Sequence, residues 1–116
     1  MIHYNQKTFR SSATTDNGDV DARTVFHYHQ QGNLVWAEYE GGAIVKGSLL
    51  ATADERGVLD MRYQHFNSNG ELMTGVCRSV PELLPDGRLR LHETWRWTSG
   101  DGSAGESVVE EVPPGS

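Results

Sequence analysis

The chain has 116 residues and a single cysteine, enough for one hydrophobic core and too little for separate catalytic and regulatory units. Sixteen acidic residues against ten basic ones, a net charge of −6 with no Lys/Arg cluster, argue against nucleic acid and against anionic membrane surfaces as partners. No apolar run approaches the roughly 18 residues of a spanning helix, and Met1 to Gln6 lacks the basic and apolar parts of a signal peptide. The expected location is therefore cytoplasmic, and a lone Cys77, unable to form an internal disulfide, agrees with a reducing compartment.

Turn signals recur along the chain: Asn17-Gly18, Gln31-Gly32-Asn33, Gly41-Gly42, Arg56-Gly57, Asn69-Gly70, Asp86-Gly87 and Gly100-Asp101-Gly102. Between them lie eight segments rich in β-branched and aromatic residues, at 7–15, 24–30, 34–39, 44–52, 59–67, 72–80, 89–98 and 106–112. None sustains a 3.6-residue apolar period, so no helix is expected. Asn69-Gly70 suits a type I′ hairpin, and Leu84-Pro85-Asp86-Gly87 is a turn opened by Pro and closed by Gly. Hairpins set sequence neighbours side by side, and closure removes the exposed edges. The expected fold is an all-β, single-domain, eight-stranded antiparallel up-and-down barrel spanning 1–116, with its core at about 7–112 and a loose tail at 113–116. A two-sheet sandwich uses the same alternation but fits a meander less well.

Alternation assigns the faces of several strands. Phe26 and Tyr28 are expected inside, with His27 and His29 outside. Leu59, Met61, Tyr63 and His65 form an inner row against Asp60, Arg62 and Gln64. For 34–39 the choice between Leu34/Trp36/Glu38 and Val35/Ala37/Tyr39 stays open. In 72–80 the preference is for Met73, Gly75 and Cys77 inside, and in 106–112 for Val108, Glu110 and Val112. Cys77 is read as a small buried residue rather than a nucleophile.

The segment 89–98 carries the strongest site signal. Leu89, Leu91, Glu93, Trp95 and Trp97 share a face, so a single carboxylate interrupts an apolar and aromatic wall. A carboxylate there needs a hydrogen-bond or ionic partner, and Arg62, Tyr28 and Tyr63 are the expected ones. Glu110, on the neighbouring last strand, is a second carboxylate that would share the site under one register. Arg62 reads as external by alternation, yet turned inward it would bind a carboxylate ligand. His27 and His29 lie on one side of a strand, as metal ligands do, and His65 or His92 would complete the set. Two histidines alone close no site, however, and Glu38 lies too far along on the next strand, so no metal is expected.

The residues Phe26-His27-Tyr28-His29-Gln30, Val45-Lys46-Gly47, Asp60-Met61-Arg62-Tyr63, Leu72-Met73-Thr74-Gly75, Leu91 to Asp101 and Gly105 to Glu111 together resemble a family of small bacterial proteins. That family is similar to avidin-like or lipocalin-like barrels and is often labelled N-acetylglutamate synthase. The resemblance runs from about Phe9 to Val112 and implies a barrel independently of the hairpin rhythm; it carries over no catalytic residues. Acetyl-CoA chemistry ordinarily uses a Gly-rich loop at a helix start, whereas Gly100, Gly102 and Gly105 read as a hairpin loop between strands.

Three functional expectations follow. The first is a small-molecule-binding barrel whose pocket is lined by Tyr28, Trp36, Arg62, Tyr63, Glu93, Trp95 and Glu110, with no cofactor. The second is a cofactor-free isomerase, cyclase or hydrolase in which Glu93 is the catalytic acid or base. The third is a packed barrel acting through its surface as a homo-oligomer.

Overall fold

All eight segments form strands: β1 (Thr8–Thr14), β2 (Val25–Gln31), β3 (Leu34–Gly41), β4 (Ile44–Ala53), β5 (Leu59–Asn67), β6 (Leu72–Leu83), β7 (Leu89–Trp97) and β8 (Ala104–Glu111). The computed structural model describes residues 2–113, so most of the tail expected at 113–116 lies outside the described residues. Each strand pairs antiparallel with the next, and β8 pairs back with β1 to close the barrel. Closure leaves no free sheet edge, which is the physical advantage of eight hairpin-linked strands over an open sheet. Among the described residues no helix is long and apolar enough to cross a membrane.

The inner rows follow the expected alternation in β2, β5 and β6. Phe26, Tyr28, Leu59, Met61, His65, Gly75 and Cys77 are buried, and Met73 and Tyr63 pack on the core from partly buried positions. In β3 the open choice resolves to Val35, Ala37 and Tyr39 inside. Trp36 is on the outer face, where its ring stacks on His29 with centroids 5.6 Å apart.

The preferred phase of the last strand is reversed. Ser107 and Val109 are buried, while Val108 and Glu110 face outward. Both rows of β8 mix valine with glutamate, so its own pattern is ambiguous; the neighbouring strand decides. The register sets Glu110 opposite the outward Arg90, with Arg90 Nε 3.2 Å from its carboxylate, and sets Ser107 opposite the inward Glu93.

The two ends of the barrel differ. At the end holding the β2–β3, β4–β5 and β6–β7 turns, the chain before β1 folds back as a plug. A turn at Asn5-Gln6, with Gln6 at φ 60°, inserts Tyr4, and the Tyr4 hydroxyl donates to the Gly57 carbonyl. Tyr4, Phe9 and Tyr28 are essentially inaccessible and pack ring against ring, Phe9 and Tyr28 with centroids 5.0 Å apart. Lys7 and Glu111 pair at 3.2 Å at the start and finish of the sheet. This half is filled by side chains. At the other end the ten residues 15–24 between β1 and β2 form a loop over the mouth.

Candidate functional site

The half of the barrel beneath the 15–24 loop, its upper half, is hollow because aromatic residues there lie against glycines. Tyr39 is paired across the ladder with Gly47, Tyr63 with Gly75, Gly75 in turn with Trp97, and Trp95 with Gly105. A Cβ at Gly47 would stand 2.5 Å from the Tyr39 ring, and one at Gly105 would stand 2.5 Å from the Trp95 ring. Only hydrogen fits between ring and backbone at these positions, so the rings are drawn to the wall instead of filling the centre. Gly105 therefore belongs to β8 and seats Trp95; it is not the hairpin-loop glycine its spacing suggests.

The rings form a continuous wall. Trp95 and Trp97 meet edge to face at 5.5 Å, Trp97 contacts Tyr63 at 5.7 Å and His65 at 5.6 Å, and Phe26 stacks on Tyr39 at 4.9 Å. They enclose a cavity with Leu49, Met61, Cys77, Ser107, Glu93 and the loop residues Gly18, Asp19 and Val20. Its empty volume is about 480 Å³ with the open mouth included. The centres of water molecules can occupy about 50 Å³ of it, room for a few waters, so a ligand seated there is compact.

Glu93 is the polar group of the interior wall. Ser79 Oγ donates to its Oε2 at 2.7 Å and Ser107 Oγ donates to its Oε1 at 3.2 Å. Both serines come from the adjacent strands at the same level, Ser79 and Ser107 being the direct cross-strand partners of Glu93. Burial pushes the carboxyl above its ordinary value, and the two serine hydrogen bonds only partly offset this. Cys77 is buried among the inner row, and burial, with Glu93 as a nearby charge, pushes its thiol up, away from the thiolate.

A second polar group lies at the mouth. The Tyr39 hydroxyl is 2.9 Å from His65 Nδ1, and His65 Nε2 is 2.9 Å from an Asp19 carboxylate oxygen. Burial lowers the His65 pKa despite Asp19, which favours a neutral ring donating from Nε2 to Asp19 and accepting from Tyr39. Asn67 Nδ2 also donates to Asp19, at 3.3 Å. The loop over the mouth is held further by Trp97, whose Nε1 donates to the Asn17 carbonyl at 3.0 Å.

The structure brings together Tyr63, Glu93 and Trp95 of the expected set and separates the rest. Tyr28 points inward but lies in the filled half against Phe9 and Tyr4; its hydroxyl is the one buried side-chain polar atom among the described residues without a hydrogen-bond partner. Trp36 is on the outer wall. Arg62 is also outside, paired with Asp60 at 2.7 Å, as the alternation of β5 requires. Glu110 faces out towards Arg90 and shares no site with Glu93. Arg62, Tyr28 and Tyr63 are not the partners of Glu93, which are the serines. Glu38 does reach His29, at 2.9 Å from its Nε2, because the register pairs Glu38 with His27 and leaves His29 one diagonal step away; among the described residues no group of three or more potential ligands is placed to hold a metal.

Asp19, Tyr39, Ser79 and Ser107 are the site residues that sequence reading missed. Asp19 is in an irregular loop, and the two serines gain meaning only from the register. The in-strand glycines Gly47, Gly75 and Gly105 were a usable signal, since a glycine inside a strand marks a close approach by something large.

One family model, described as avidin-like protein, matches residues 2–112. A comparison with curated proteins and another with solved structures each found no match.

Proposed function

The chain belongs to the avidin-like protein family, and from that premise we propose that it binds a small, compact, partly apolar molecule in the upper half of the barrel. The observation that carries this reading is the hollow between the Tyr39, Tyr63, Trp95 and Trp97 rings with a hydrogen-bonded carboxylate in its wall. A barrel selected only for packing gains nothing from three rings, Tyr39, Tyr63 and Trp95, held to the wall by glycines. It gains even less from a half-buried carboxylate held between serine partners, because taking a charge partly out of water is costly unless it serves a partner. The filled half beneath supplies rigidity, and the loop at 15–24 covers the mouth.

Native mass spectrometry of the protein purified gently from its own cells tests the reading. A retained small molecule is expected in the wild type and in Trp36→Ala, and its loss is expected in Cys77→Phe, which fills the cavity. Equal occupancy in the folded Cys77→Phe protein would place the molecule elsewhere and refute the proposal.

The catalytic reading draws on Glu93 in the cavity wall, whose carboxyl burial pushes above its ordinary value, in the direction that suits a proton donor. The oligomer reading draws on the outer wall, where Val45, Leu50, Phe66 and Leu72 are exposed on β4, β5 and β6. The catalytic reading shares the hollow and Glu93 with ligand binding and adds turnover to it; the oligomer reading uses neither.

A further inference from the structure

The charge of the cavity lining narrows the ligand. Two carboxylates contribute to it, Glu93 in the wall and Asp19 at the mouth, and among the described residues lining the cavity none is Lys or Arg. The His65 ring beside Asp19 is held towards its neutral form by burial, so it supplies no compensating positive charge. Each ionised carboxylate has about four lone-pair positions, and the serines occupy one on each oxygen of Glu93, leaving acceptor capacity over. Around these acceptors stand the faces and edges of two indoles and two phenols. Aromatic faces attract cations through their quadrupole, and most strongly when water is excluded.

Resting on the binding function proposed above, we infer that the ligand is a small organic cation, an amine on a compact aromatic or aliphatic body, with its ammonium against Glu93 and its body along Trp95, Trp97 and Tyr63. Three classes of occupant differ in how they meet the lining. A neutral molecule leaves the desolvated carboxylate without a counter-charge. An anion adds like-charge repulsion at both the mouth and the wall. A cation recovers the desolvation cost that folding has already imposed on Glu93, donates into its unused lone pairs and meets the aromatic wall favourably. Asp19 at the entrance gives the path to the interior the same negative sign, which draws a cation in.

The test uses three ligands of similar shape and different charge: benzylamine, benzyl alcohol and benzoate. They are titrated into the intact protein at pH 7.5 and followed by NMR at the tryptophan indole N–H signals. Trp95 and Trp97 report the cavity, and Trp36, on the outer wall, is the internal control. The expected result is movement of the Trp95 and Trp97 signals alone, with benzylamine binding about tenfold or more tightly than benzyl alcohol, a difference of about 1.4 kcal/mol, and benzoate weakest. In Glu93→Gln the preference for the amine should disappear while the alcohol still binds. The wild-type ranking decides even if that variant fails to fold. Benzyl alcohol or benzoate binding as tightly as the amine, with the Trp95 and Trp97 signals moving, overturns the cation inference and leaves the pocket standing. No movement of those signals with any of the three, up to their solubility limits, overturns both.

Discussion

Replacing Glu93 by glutamine removes a charge from the barrel interior while keeping its shape, and the structure fixes what should follow. Ser79 retains a carbonyl oxygen to donate to. The new amide N–H can donate to Ser107 Oγ, which turns to accept, so both buried hydroxyls stay paired. Two charge-assisted hydrogen bonds become neutral ones, a loss of about 1 kcal/mol each. Against this stands release of the cost of holding an ion out of water, on the order of several kcal/mol. Glutamine should therefore win wherever the native carboxyl is ionised. The pH dependence has a definite sign. Burial raises the Glu93 pKa above its ordinary 4.5, so the folded state holds the proton more tightly than the unfolded chain. The resulting stabilisation is complete below that ordinary value and is lost as pH rises through the raised folded one. Glu93→Gln should thus match the wild type near pH 4 and exceed it at pH 8 by about 1 kcal/mol or more, about 4 °C in Tm for a domain of this size. Glu93→Ala should behave differently at every pH. It strands the hydroxyls of Ser79 and Ser107, which are 0% and 7% exposed, at about 1–3 kcal/mol each. Urea unfolding followed by tryptophan fluorescence from pH 4 to pH 8 measures all three proteins. A glutamine variant less stable than the wild type at pH 8, with the gap closing at pH 4, would refute the reasoning, because the charge would then be stabilising.

Two further perturbations probe the wall and the mouth. Gly75→Ala puts a Cβ 2.8 Å from the Arg96 carbonyl oxygen and onto the Tyr63 ring; it should cost about 1–3 kcal/mol by overpacking and weaken cavity ligands by pushing Tyr63 inward. Unchanged unfolding and unchanged affinity together would show that the ring does not depend on the glycine. Burial lowers the His65 pKa below 6.5, so the stability contributed by the neutral ring is present above that value and is lost as pH falls towards the lowered one. His65→Gln should flatten this acid limb in a series of Tm measurements from pH 7 to pH 5, and an identical slope in the variant would remove His65 as its source.

The sequence by itself determined the strands, their hairpin order, closure into a barrel, and the inward aim of Glu93, Trp95, Tyr63 and Phe26. These are local matters. Turn residues act over a few positions, and alternation has a period of two, so eight regular hairpins specify the staves and most of their faces. Tertiary structure decided the rest, through pairing between strands. β3 offered apolar residues on both faces, so only packing could put Val35, Ala37 and Tyr39 inside and Trp36 outside. β8 offered valine and glutamate on both, and the charge of Arg90 and the carboxylate of Glu93 selected its phase from across the ladder. The partners of Glu93 are 14 residues away on either side, and Asp19 is 46 residues from the histidine that it meets. Such separations leave no periodic trace. The hollow itself was written in Gly47, Gly75 and Gly105, but an in-strand glycine states only that something large lies close; which ring it seats is known once the register pairs it with Tyr39, Tyr63, Trp97 or Trp95.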